Sequence, residues 1–158
     1  MTRPQHAGLL AKLTEEHAAV KSFVALLQQE QKMLTENSID ALSMLAEQKS
    51  AEAVKINQIA KVRHNLLQTV IPELTAAHIH DWFKLNSKEG LELWQGLRML
   101  ADQAHELNRI NGELIQIKLR HNQQLLGALS KAVNQANLYG PNGQTSFSTG
   151  TGRSLGQG

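Results

Sequence analysis

The 158-residue sequence predicts an all-α fold: an elongated antiparallel three-helix coiled-coil bundle with one very long C-terminal helix and a glycine-rich tail. Three observations predict it. Apolar residues recur at three- and four-residue spacing along most of the chain, the rhythm of a helix with one buried face. Few signals interrupt that rhythm, chiefly Asn37-Ser38, Ile71-Pro72 and Asn86-Ser87. Beyond Asn137 it gives way to Gly, Ser and Thr.

In the first segment, about 4–35, Leu13, Val20, Leu27 and Leu34 step by seven, flanked by Leu9, Leu10, Phe23 and Val24. Pro4 suits a first helical turn, where a missing N–H costs nothing. Asn37 tolerates a left-handed C′ position, and Ser38 is expected to accept a hydrogen bond from the next helix start. A second helix is predicted over 39–71, with Leu42, Leu45, Ile56, Ile59, Leu66 and Val70 on its stripe. Ile71-Pro72 ends it, because proline cannot donate the helical bond and disfavours α geometry before it. A short helix over 75–85 carries Ile79, Trp82 and Phe83.

Asn86 or Ser87 caps the longest helix, about 87–136, and Glu89 complements its dipole. Its stripe is Leu93, Leu97, Leu100, Ala104, Leu107, Leu114, Leu125, Ala128 and Ala132. Asn111-Gly112 is also a hairpin-turn signal. A reversal there would reset the apolar phase, yet Leu100, Leu107 and Leu114 keep their seven-residue step through it. A continuous helix follows, weakened by about 1 kcal/mol at the glycine and open to a bend. The bundle therefore occupies residues 1–137. Six of the eleven glycines fall in the segment 138–158, which buries too little apolar surface to offset its ordering entropy and is expected to be a mobile tail.

Composition narrows the function. With no cysteine, disulfides, thiolate metal sites and cysteine nucleophiles are excluded. Sixteen Lys and Arg stand against fourteen Asp and Glu, and the basic groups (Lys55, Lys61, Arg63; Arg109, Lys118, Arg120) are scattered among few aromatics. That pattern predicts no nucleic-acid binding. Lys12 cuts short the apolar run Leu9-Leu10-Ala11, unlike a signal peptide, and no stretch nears the roughly 18 apolar residues of a membrane span. A cytoplasmic protein without membrane insertion is expected.

Catalytic patterns are weak. His78 and His80, at i,i+2 on a helix, point to different sides. His17 and His121 sit at stripe positions and are expected to be partly buried, hydrogen-bonded side chains. Asp102 and His105 share a helix face, but a di-metal bundle needs a second such pair and two more inward carboxylates. There is no phosphate-cradling loop and no nucleophile elbow. The sequence predicts no enzyme, no cofactor and no metal.

Surplus apolar surface is the more informative signal. Past Leu114 a second stripe, Ile115, Leu119, Leu126, Leu129 and Val133, runs beside the first, widening the face beyond a coiled-coil seam. At 1.5 Å per residue the first helix spans about 45 Å and the longest about 70 Å, leaving roughly 25 Å uncovered. The short 75–85 segment or a homodimer partner is one candidate cover, and a partner helix is the other. Burying five such side chains yields on the order of 7–15 kcal/mol, against association costs of about 4–15.

Asn108-Arg-Ile-Asn111-Gly112-Glu-Leu114-Ile115 resembles the N-x-x-N-G-x-L-I signature of FlgN-type flagellar export chaperones. Leu138-Tyr139-Gly140-Pro141-Asn142-Gly143-Gln144 resembles their closing Tyr-Gly-x-x-Gly element. Asn37-Ser38-Ile39-Asp40-Ala41-Leu42 is similar to their Gly-Asp-Leu-x-x-Leu turn, with Asn and Ser substituted. The resemblance spans nearly the whole chain. It implies cytoplasmic binding of hook-associated (hook–filament junction) proteins through the C-terminal region, and delivery to the flagellar export apparatus without ATP hydrolysis. On the strength of the second stripe, Leu119, Leu126, Leu129, Val133 and Tyr139 are the candidate partner-binding residues. Asn108, Asn111 and Gly112 are read as serving close packing or a bend. The rival reading is a structural coiled-coil adaptor or dimeric scaffold unrelated to export.

Overall fold

The computed structural model describes the backbone of residues 1–138 and the side chains of residues 1–132 other than Ile39. The segment expected to be a tail lies outside the described residues from 139 onward. All described elements are helical: α1 (Arg3–Thr35), a 3-10 turn (Ile39–Ala41), α2 (Leu42–Gln68), α3 (Ala76–Asn86) and α4 (Lys88–Leu138). The chain divides into two compact units, Met1–Leu114 and Ile115–Gly158.

Helix ends in the first unit follow local chemistry. The Gln5 side chain accepts from the Thr2 backbone N–H at the start of α1 (2.9 Å). At its end Asn37 takes φ 57°, and the Ser38 N–H donates to the Met33 carbonyl (2.9 Å). That is the six-to-one bond of a Schellman closure, with Asn standing in for glycine. Ser38 does not cap the next helix. The chain first makes a 3-10 turn, and Ala41 precedes α2 without a side-chain bond. At the other end α2 stops at Gln68, where the Thr69 and Val70 N–H groups bond three residues back instead of four. The tightening begins a turn ahead of Pro72.

Thr75 accepts from the His78 N–H (3.1 Å) and starts α3. Ser87 then serves two helices. Its N–H donates to Phe83 O, closing α3, and its Oγ accepts from the Gly90 N–H (3.0 Å), opening α4. A Cβ at Gly90 would lie 2.5 Å from Phe83 Cδ1, so only glycine lets the fully buried Phe83 ring sit against α4. At Gly112 nothing lies within 4 Å of such a Cβ, so this glycine does not serve close packing. α4 continues through Asn111-Gly112 as helix.

The first unit's core has two clusters. Leu9, Leu13 and Val20 of α1 meet Leu67, Ile71, Ile79, Phe83, Trp94 and Leu97. Val24 and Leu27 meet Ala104, with Phe23, Leu100 and Leu107 alongside. Strand-like alternatives never arise, because every stripe keeps helical spacing. Glu16 pairs with Arg63 and Glu30 with Lys49, a descending order that makes α1 and α2 antiparallel. His17 faces Gly96 and Leu27 faces Asn111, an ascending order that sets this part of α4 parallel to α1. α3 makes that return between α2 and α4.

Candidate partner-binding surface

On α4 the helical rhythm passes through Trp94, Leu97, Ala104 and Asn111, all buried. Asn111 is the surprise, because a polar residue occupies a core position at 1% exposure. Its Nδ2 donates to the Leu27 carbonyl and to Glu30 Oε1, both at 2.9 Å. Glu30, itself buried, also accepts from Lys49 Nζ at 3.2 Å to each oxygen, and Lys49 reaches Asn108 Oδ1 at 3.1 Å. Three helices are thus joined by one polar network. Apolar contacts alone tolerate sliding by a helical turn, whereas these donors and acceptors meet in one register. Asn108 and Asn111 therefore do more than permit close packing.

A second buried pair lies nearer the other end. Arg63 Nε donates to Glu16 Oε2 (2.6 Å), its Nη2 to Oε1 (3.2 Å), and its guanidinium lies 5.2 Å from the Trp94 ring centroid. Sequence reading passed over Glu16 and Glu30, yet the signal was present. Glu16 lies three residues after Leu13 and four before Val20, and Glu30 three after Leu27 and four before Leu34. Carboxylates on a core stripe demand partners.

Beyond Asn111 the same spacing runs on through Ile115, Leu119, Leu126 and Leu129, and the surroundings change. Within the second unit these residues are 37, 51, 66 and 62% exposed. Leu125 is 49% exposed, and Ala128 and Ala132, which share the first stripe with it, are exposed as well. His121, expected to be partly buried, is exposed, while His17 is half-buried with its ring against Gly96. The side chain of Val133, and Tyr139 altogether, lie outside the described residues.

The histidines of α3 are engaged locally. His78 Nδ1 lies 2.9 Å from Glu73 O, and His80 lies between Asp81 and Gln95. Asp102 and His105 are exposed. Among the described residues no three His, Asp or Glu side chains converge on a common point, and no described helix is long and apolar enough to cross a membrane. On the α4 surface Arg109 bridges Glu106 (2.6 Å) and Glu113 (2.7 Å). Its hydrogen bond and charge hold the Glu106 carboxyl below the ordinary carboxylate value.

These features define a class: an all-helical protein, keyed by buried ion pairs, whose longest helix leaves an apolar face open to solvent. The family is narrower still. The chain belongs to the FlgN protein family, whose model matches residues 1–146. It is similar to the flagella synthesis protein FlgN of Escherichia coli (strain K12), with 27% identity over 149 residues, covering 92% of this chain and 96% of that protein. No solved structure matches it.

Proposed function

We propose that this chain is a cytoplasmic flagellar export chaperone. In this reading it binds hook-associated (hook–filament junction) subunits through the C-terminal half of α4, prevents their premature assembly and delivers them to the flagellar export apparatus. Residues 1–114 then serve as a three-helix coiled-coil platform, and no catalysis is involved. Family membership and the flagella-synthesis name of the relative support the setting. The observation that carries the binding surface is the solvent exposure of Leu119, Leu126 and Leu129 on a face whose equivalents Leu97 and Ala104 are buried.

Covering two such leucines contributes about 2–4 kcal/mol, enough for a change in affinity of roughly 30-fold or more. The test is Leu126→Asp with Leu129→Asp, assayed by pull-down of a junction subunit with circular dichroism in parallel. Capture is expected to fall while helicity persists. Undiminished capture by a folded variant removes these residues from the surface. The dimeric scaffold reading makes a different forecast: light scattering would find a tight dimer that the same substitutions dissociate.

A further inference from the structure

Charge is divided unevenly along this chain. All fourteen acidic residues lie at or before Glu113. Beyond it come Lys118, Arg120, Lys131 and Arg153, and no Asp or Glu at all. Residues 1–114 thus hold twelve cations against fourteen anions, while the second unit is purely cationic. Within it the apolar face is exposed, and so are Arg120 and Lys131.

From this juxtaposition we propose that the second unit selects an acidic amphipathic helical segment of a partner protein, drawn in by long-range attraction and held by the leucines. The inference rests on the functional reading above and adds the chemistry of the partner. For Arg120 and Lys131, position separates the two roles. At 100° per residue Arg120 lies about 100° round the helix from Leu119, and Lys131 lies further round still. Neither flanks the centre of the stripe, so neither forms close pairs with a helix lying along it. Their field acts over the Debye length of about 10 Å at 0.1 M salt, raising the encounter rate of an acidic segment. The leucines, which desolvate on contact, set the dissociation rate.

Other occupants fit less well. A second copy would bring one acid-free cationic segment against another, with no opposite charges to pair. An anionic membrane is usually engaged by a denser basic cluster with aromatic anchors, whereas this unit spreads four cations over residues 115–158 and its two aromatics, Tyr139 and Phe147, follow the leucine stripe in sequence. Single-stranded RNA would call for aromatic stacking groups interleaved with the cations, and no Trp, Tyr or Phe lies between Lys118 and Lys131.

The experiment uses the full chain and three synthetic helical peptides that share one leucine stripe and carry Glu, Gln or Lys at the remaining positions. Stopped-flow association is followed at low and at high salt. The Glu peptide is expected to associate about tenfold faster than the Gln peptide at low salt, with the advantage lost at 0.5 M. Arg120→Glu with Lys131→Glu should abolish that advantage and leave dissociation within about twofold. Leu126→Asp with Leu129→Asp should accelerate dissociation for every peptide. Equal rates for Glu and Gln peptides, preference for the Lys peptide, no binding of any peptide, or tighter binding to anionic vesicles, RNA or a second copy would each overturn the proposal. Junction-subunit capture lost with the leucine pair but untouched by the charge reversal, at low salt, sinks this inference alone. Capture indifferent to both sinks the functional reading too.

Discussion

Replacing Lys49 with methionine tests whether the polar network secures the register of the first unit. The Lys49 ammonium lies 3.2 Å from Glu30, with side-chain exposures of 21% and 7%. Without it, the Glu30 carboxylate keeps, among the described residues, only Asn111 as a side-chain donor. Breaking a buried pair by removing one partner costs about 3–5 kcal/mol. Lys49 is one-fifth exposed, so water enters part of the gap and about 3 kcal/mol is expected. Glu30→Gln retains an acceptor for Lys49 and should cost about 1–2 kcal/mol. In that background Lys49→Met has no charge left to strand, and its own cost should fall below about 1 kcal/mol. Glu30→Leu, Lys49→Met and Asn111→Leu together should lie near neutrality, since buried ion pairs often exchange with apolar residues at little cost. Urea unfolding monitored by tryptophan fluorescence measures this, because Trp82 and Trp94 both lie in the first unit. A cost under about 1 kcal/mol for Lys49→Met, or an equal cost with and without Glu30, would refute the reasoning.

Two glycines make opposite forecasts. Gly90→Ala places a Cβ 2.5 Å from a ring that cannot retreat and should destabilise the first unit by about 1–3 kcal/mol in the same urea assay. Gly112→Ala meets open space within a helix and should stabilise by up to about 1 kcal/mol, and a loss there would contradict the helical, uncrowded site. For the exposed Glu106, a lowered folded value means its contribution is present above the ordinary 4.5 and is lost as pH falls through the folded value. Carbon-detected NMR titration should find that depression, reversed by Arg109→Gln and weakened in 0.5 M salt.

Much of this protein is readable from its sequence, because a helix is specified by neighbours three and four residues apart. Leu13, Val20, Leu27 and Leu34 announce α1 unaided. Asn37 announces its end, and the unbroken phase of Leu100, Leu107 and Leu114 carries α4 through Asn111-Gly112. The apolar surplus from Ile115 onward was visible for the same reason, although its extent was not. Spacing puts Leu125, Ala128 and Ala132 on the first stripe, and only the structure shows them exposed.

What tertiary structure alone decided is the identity of partners far apart in the chain. Asn111 meets Leu27 and Glu30 from more than 80 positions away, and Arg63 meets Glu16 across 47. Local spacing could place Glu16, Glu30 and Asn111 on buried faces, but not choose their partners. That choice depends on how three helices slide past one another, and sliding is governed by packing and buried charge, interactions that have no period along the sequence.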